Sequence, residues 1–531
     1  MAKRQDELAA YTFARKRTVA AFLAPSPGGS EEGAPRPIRT VMPSLALGVV
    51  LVIGFIAWGV IKPAAPKGWD TPGEYVIVDS DSTTRYVVLD PDPKDGEVEK
   101  VLHPVLNYAS AKLLLDKGKG KVIEVPAKEI DKSGIRHGAT IGIPYAPDRL
   151  PSKEDAQKPK SWAVCERPVP GSSGAIDRAV FVLNDTDAKS LDGAGKVDPS
   201  EALYVEDGKT GQEFLVDGRG NAFQLGDRKR LGDTTMEQLR SAVIGSKAKS
   251  QRVSHDWMLT LNPGGVIDFP EVPSNGQQTS VKGLPDEAST VGRVLEAQDA
   301  QGTQYYVVLK DRVANVTSFV AALLMRAPAA EKAYDNGGRI APVPVNGQQI
   351  IAANNGEAEG FYADQGWPQV VPRQANAGAA GTGEDRMTSC SVYKGTIGSD
   401  RKPQLAAWAG KAYPRNAVED SLSAYISSGS GLLFREVSGA AEGGGRFYLL
   451  TDTGLRYSLP SNNDSEADKA GNSPSPAGDA STGEASETDK ARTRLGYEDL
   501  TTPVIVPKSW AAFIPTGPTL DTGSAAQPQG Q

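Results

Sequence analysis

Between Val41 and Ile61 the chain reads VMPSLALGVVLVIGFIAWGVI, without a single charged residue. As a helix this run is about 31 Å long at ~1.5 Å per residue, close to the ~30 Å hydrocarbon core of a bilayer. Pro43 falls in the first turn, where a missing N–H costs little. Trp58 lies near the far end, where an indole suits the headgroup level. A buried core helix is the alternative, but hydrophobicity on every side argues against it. A cleaved signal peptide fits poorly, because about forty residues precede the run and no small-residue cleavage site follows a short apolar core. The expectation is one N-terminal transmembrane helix over 41–61.

The flanks then set the orientation. Lys3, Arg4, Arg15, Lys16, Arg17, Arg36 and Arg39 precede the run, and only Lys62 and Lys67 follow it before acids begin. The positive-inside bias predicts a cytoplasmic N-terminus, a single-pass cell-membrane protein and an extracytoplasmic C-terminal domain. No second stretch approaches membrane length, so the whole remainder is expected on the far side.

That remainder is too long for one core in a chain of 531 residues, so several packing units are expected. The net charge is −7, and no basic stripe with interleaved aromatics occurs, which argues against nucleic acid as a partner. With 57 Gly and 38 Pro, turns are abundant. The two cysteines, Cys165 and Cys390, both fall in the part expected to be exported, where oxidation is permitted. A bridge is the expectation there, although spacing alone does not establish one, since the Cα atoms must come within about 7 Å.

Comparing the exported part with itself reveals two related halves. Tyr86-Val87-Val88-Leu89 recurs as Tyr306-Val307-Val308-Leu309, each followed by an apolar, helix-like stretch, 109–115 and 319–325. Phe214-Leu215-Val216, a turn ending at Gly220 and Ala222-Phe223-Gln224-Leu225 form a hairpin pattern. It recurs as Tyr448-Leu449-Leu450, a turn ending at Gly454 and Arg456-Tyr457-Ser458-Leu459. Cys165 and Cys390 sit about 225 residues apart, within the same range of shifts, so each occupies the equivalent place in its half. A further match, Leu261-Asn262-Pro263-Gly264 with Ile514-Pro515-Thr516-Gly517, has a larger shift. The increase falls where a low-complexity segment interrupts the second half.

The fold class expected is therefore α+β: a β-rich extracytoplasmic domain of two related halves around a pseudo-twofold axis, plus the transmembrane helix. Equivalent positions meet only near such an axis, which points to an intramolecular Cys165–Cys390 disulfide clamping the halves. Closing so long a loop removes roughly 5 kcal/mol from the unfolded state in the chain-entropy model. The boundaries are a basic cytoplasmic tail at 1–40, with an amphipathic helix over Gln5–Leu23 and a Pro/Gly hinge over Pro25–Pro37, and the span at 41–61. The halves follow at 67–270 and 271–520, with a disordered insert at 461–494 and a disordered tail at 521–531. The basic helix is read either as held by anionic membrane lipid or as docking on a partner.

Catalytic constellations are hard to find. His103, His137 and His255 have no metal-ligand spacing with one another or with a cysteine. G-x-S-x-G is absent, and Ser246-Lys247-Ala248-Lys249 matches S-x-x-K without its supporting motifs. Gly208-Lys209-Thr210 ends like a phosphate loop, but Leu203 stands where that loop needs glycine, and the pattern around it reads as a hairpin turn. No catalytic, cofactor-binding or metal-binding residue is assigned, and no cofactor is expected.

Several segments together resemble EccB, a membrane component of type VII (ESX-type) secretion systems. They are the opening Arg4-Gln5-Asp6-Glu7-Leu8-Ala9-Ala10-Tyr11-Thr12-Phe13, the segment Ile141-Gly142-Ile143-Pro144-Tyr145-Ala146-Pro147-Asp148-Arg149-Leu150-Pro151, the paired cysteines and Ile514-Pro515-Thr516-Gly517-Pro518-Thr519-Leu520. The resemblance runs from about residue 3 to 520, and the 461–494 insert departs from it. It implies a scaffolding subunit of an inner-membrane complex with EccC, EccD and EccE, near the mycosin protease, forming homo-oligomers, with repeat domains around a central β-rich core. The family also carries an ATPase label that none of these residues supports. Two other readings stand beside the scaffold: an ATPase or other hydrolase with an unrecognised site, and a membrane-anchored cell-wall-binding module.

Overall fold

A computed structural model describes residues 4–23, 38–61, 65–91, 99–169, 171–172, 174–300, 302–334, 339–354, 360–377, 386–415, 424–438, 445–460, 487–500 and 502–529. By compactness the chain divides into two units: residues 1–70 with 78–83 and 123–134, and residues 71–77, 84–122 and 135–531.

The first unit contains the helices Arg4–Leu23 and Ile38–Ile61. The first helix covers the expected Gln5–Leu23, yet its large apolar residues are distributed weakly for an amphipathic helix. Leu8, Tyr11, Phe13, Val19 and Phe22 are all exposed. At about 100° per residue, Phe13 falls on the opposite side from the others and Arg15 interrupts their stripe.

The second helix coincides with the uncharged run. Among the described residues no helix is long and apolar enough to cross a membrane. The expected transmembrane helix at 41–61 is corrected accordingly. With it go the single-pass topology, the cytoplasmic N-terminus and the cell-membrane placement drawn from it. The expected hinge at 25–37 lies outside the described residues.

The second unit is built from sheets of one recurring design, a three-stranded antiparallel meander with a later strand laid parallel on its first strand. Glu201–Asp207, Glu213–Asp217 and Asn221–Leu225 form one meander, and Gln251–Val253 pairs parallel with its first strand. Leu432–Val437, Phe447–Leu450 and Arg456–Leu459 form another, joined in the same way by Val504–Pro507. Val294–Asp299, Gly302–Val308 and Val313–Val316 form a third, joined by Val343–Pro344. Arg85–Leu89 and Val101–Pro104 belong to a further sheet. The tight turns carry the expected chemistry: Gly220 and Gly454, at φ +75° and +83°, occupy the left-handed region that a Cβ disfavours.

Between these lies a central sheet of Ser161–Pro168, Ile176–Leu183, Thr388–Ile397, Pro403–Gly410 and Ala424–Ile426. Alternation along a strand sends its side chains to two faces. Trp162, Val164, Tyr393 and Leu405 join one core with residues of both the 201–253 and the 432–507 sheets. Ala163, Cys165, Cys390 and Val392 face the other way, with Phe181 and Trp408.

The outer packing crosses over. The 294–316 sheet and its helix Ser318–Arg326 share a core with the 201–267 strands, through Phe319, Leu323, Leu239 and Phe223. The helix Tyr108–Leu114, by contrast, packs against the last meander, with Leu113 beside Leu433, Leu449 and Tyr457.

Two boundaries expected to be disordered are corrected. Glu487–Leu495 is a helix with Ala491 and Leu495 buried, because these apolar positions lie one turn apart and seat in the same core as Leu113. Residues 461–486 lie outside the described residues. The tail expected to be disordered from 521 docks instead. Asp521 caps a short helix by accepting from Ser524 N, Ala525 is buried, and Gln529 Nε2 donates to Gly142 O at 2.7 Å.

Candidate functional site

Cys165 and Cys390 lie directly opposite each other on adjacent antiparallel strands, and their sulfurs are bonded at 2.02 Å with Cα atoms 4.0 Å apart. Both are fully buried. The surrounding pairs are Ser389 with Glu166, Ser391 with Val164 and Tyr393 with Trp162. Each neighbouring strand continues antiparallel, Ile176–Leu183 on one side and Pro403–Gly410 on the other.

Two carboxylates anchor the neighbouring meanders: buried Glu166 on the central sheet and half-buried Asp155 in the short helix Lys153–Ala156. Glu166, with no exposed surface, accepts from Arg178 Nε at 2.8 Å, Ser254 N at 2.7 Å and Ser254 Oγ at 2.6 Å. Three polar contacts satisfy a carboxylate that would otherwise be costly to bury. The seam continues beside it. Gln251 donates to Glu166 O, Ser389 Oγ and Asn376 Nδ2 donate to Gln251 Oε1, and Asn376 Oδ1 accepts from Tyr204 N. The Arg178 guanidinium also lies over the ring of Phe513, 4.9 Å from its centroid.

Asp155 does the same for the last meander. It accepts from Lys160 Nζ at 2.7 Å, Gly431 N at 2.7 Å and Ser430 Oγ at 3.1 Å. Burial pushes its pKa up, but the Lys160 ammonium and the Gly431 and Ser430 donors outweigh that, and the net shift is downward.

The segment 141–151 is pinned from below by Asn107. Its side chain caps the helix Tyr108–Leu114 through Ser110 N and donates to Ile143 O at 2.7 Å, while Ser110 Oγ accepts from Ile143 N. The segment thus closes the first sheet onto the helix that meets the last meander.

The sequence brought forward only the two cysteines. Glu166, Gln251, Ser254, Asn376 and Ser389 carry no motif. The available signal was an acid and a serine flanking cysteines in otherwise apolar strands. The residues weighed for chemistry are dispersed. His103 Nδ1 lies 2.9 Å from Ala139 O, and His255 Nδ1 lies 2.9 Å from Asp207 Oδ2. Among the described residues no group of three or more His, Cys, Asp or Glu could hold a metal ion. Gly208-Lys209-Thr210 forms the turn between Glu201–Asp207 and Glu213–Asp217, where Asp207 Oδ1 accepts from Lys209 N and no helix follows.

The arrangement defines a class: a protein of repeated meander sheets packed on a disulfide-bonded central sheet. The model of the family described as "Type VII secretion system ESX-1, transport TM domain B" matches residues 2–530, and the chain belongs to this EccB family of type VII secretion systems.

Its relatives agree. The "ESX-1 secretion system ATPase EccB1" of Mycolicibacterium smegmatis is 28% identical over 303 residues, 55% of this chain and 57% of the relative's own length. The "ESX-3 secretion system ATPase EccB3" of Mycobacterium tuberculosis is 24% identical over 524 residues, 92% of this chain and 83% of that protein. Among solved structures, a chain of an intact ESX-5 inner membrane complex is 20% identical, with a TM-score of 0.55 over 100% of this chain and 96% of its own. The EccB3 dimer from the ESX-3 core complex is 21% identical, with a TM-score of 0.56 over 85% and 99%. These two likenesses show the shared fold.

Proposed function

We propose that this chain is a scaffolding subunit of a type VII secretion complex, associating with EccC, EccD and EccE, lying near the mycosin protease and forming oligomers with itself. The observation that carries this reading is the full-length correspondence to a chain of an ESX inner membrane complex. The internal design supports it. Three sheets share one meander plan, and the central sheet that packs against two of them is closed by the Cys165–Cys390 bond. Affinity purification of the tagged full-length chain from its native host, followed by identification of co-purifying subunits, tests the assignment. Recovery of the type VII subunits in fixed ratio is expected. An intact secretion complex assembled without this chain overturns the reading.

A further inference from the structure

The face of the central sheet that carries the disulfide has a thin cover. In register across four strands run Trp408, Cys390, Cys165 and Ala179. Phe181, Leu183, Val392 and Ala406 belong to the same apolar face. Among the described residues, only Ala188, Leu191 and Tyr413 join this core from outside the five strands. Two of these three lie in one segment, 184–197, which runs from the end of Ile176–Leu183 to the outer edge of Pro403–Gly410.

This segment is a strap, fastened at both ends and bonded to itself between them. At its start Asn184 N donates to Ser427 Oγ at 3.1 Å. The Asp187 carboxylate accepts from the same Ser427 Oγ at 2.6 Å and pairs with Arg415. At its end Ala409 N donates to Gly195 O at 2.7 Å, and Val197 N to Ala407 O at 3.0 Å. Between the two lies the single 3-10 helix Asp187–Leu191, with Ala188 N donating to Asn184 O at 2.9 Å and Asp192 N to Lys189 O at 3.2 Å. Its one buried side chain is Leu191, 7% exposed.

Gly195 also presses on Trp408. A Cβ at Gly195 would lie 2.2 Å from Cε2 and Nε1 of that ring, and one at Gly410 would lie 2.1 Å from its Cη2. Only glycine leaves the indole room at both contacts, and this buried Trp408 is the direct cross-strand neighbour of Cys390. The strap thus plugs the core of the bond with Leu191 and holds the aromatic wall beside the bond with Gly195.

A segment seated by one leucine, one ion pair and a few hydrogen bonds opens locally at far lower cost than a five-stranded sheet unfolds. We infer that the strap 184–197 is a gate on the Cys165–Cys390 bond. Seated, it keeps thiols from the sulfurs; lifted, it admits them while the sheet stays folded. The chemistry it controls is exchange with a dithiol. One thiolate of the dithiol attacks a sulfur of the bond and displaces the other as a thiolate. The second thiol of the dithiol then closes its own disulfide and leaves Cys165 and Cys390 reduced. Two electrons and two protons pass from the dithiol to the two cysteines, and the reverse sequence forms the bond.

Reduction of the folded full chain by excess dithiothreitol tests the gate, with new thiols trapped by iodoacetamide and located by peptide mapping at intervals. Leu191→Ala removes the plug and should speed reduction at least about tenfold, as the lost burial of one leucine implies. Gly195→Ala, which drives a methyl group into the Trp408 ring, should speed it as well. In both variants the rate should stay nearly flat in low urea, because lifting the strap exposes little surface, whereas reduction through global unfolding climbs steeply with urea. Reduction of either folded variant at the rate of the unaltered chain overturns the inference. So does an acceleration that rises with urea as steeply as unfolding itself.

Discussion

The indole N–H of Trp257 donates to the backbone carbonyl of Val164 at 2.9 Å, fastening a helix of the first half to the central strand that carries Cys165. In the second half Trp510, equally buried, packs at a 44° tilt against Tyr393 of the other cysteine strand, 5.6 Å between ring centroids. Each follows the strand laid parallel on the first strand of its meander, Gln251–Val253 or Val504–Pro507. Replacing Trp257 by Phe removes one buried hydrogen bond, a loss of about 0.5–1.5 kcal/mol. A fall in the urea midpoint with an unchanged slope is expected, and an unchanged midpoint counts against the fastening.

Cys165 and Cys390 lie with no exposed surface on the less polar face of the central sheet. A reductant alone should leave the bond intact in the folded protein and break it quickly only once denaturant opens the sheet. Non-reducing peptide mapping before and after each treatment reads this directly. Replacing both by Ser should lower stability by up to roughly 5 kcal/mol in the chain-entropy model. Free thiols in freshly isolated protein refute the bond.

Asp155 supplies a pH dependence. Its pKa in the folded state is held below the ordinary value of ~3.9 for a free Asp. Its contribution is therefore fully present above the unfolded value and is lost as pH falls through the lower folded value. Asp155→Asn should flatten the acid limb of the stability curve below about pH 4 and leave the pH dependence above about pH 5 unchanged. Chemical denaturation across pH 2–7 distinguishes the two variants.

Leu495, only 4% exposed, seats the helix Glu487–Leu495 in the core shared with Leu113. Leu495→Ala should cost about 2–5 kcal/mol, the range for truncating a buried leucine. A cost under about 0.5 kcal/mol, the range of surface substitutions, would show that this helix is not part of the core.

Much of the architecture could be read from residues, for reasons that are local. Tyr86-Val87-Val88-Leu89 and Tyr306-Val307-Val308 of its counterpart lie in strands, because β-branched and aromatic residues favour a half-buried pleat. The hairpins at 214–225 and 448–459 follow from turn chemistry around Gly220 and Gly454. Long-range contacts were not legible. Nothing near Leu113 announces Leu433 as its neighbour, and Ala491 and Leu495 looked like the end of a polar insert because only two positions in that helix need to be apolar. The candidate site divides in the same way. The cysteines stood out by rarity, whereas Glu166 and Asp155 are ordinary acids whose partners come from up to 276 residues away.

The crossed packing has a temporal side. On a growing chain Ala109 and Leu113 emerge more than three hundred residues before Leu433 and Tyr457, which cover them. Cys165 likewise waits through a separation of 225 residues for its partner. Contacts this remote close slowly. For most of its synthesis the chain thus carries apolar surface with no permanent cover, and the last strand to arrive, Val504–Pro507, completes the edge of a meander whose neighbours were made first. A chain stopped short of that strand leaves the edge of Leu432–Val437 unpaired and the core around Phe434 uncovered on that side.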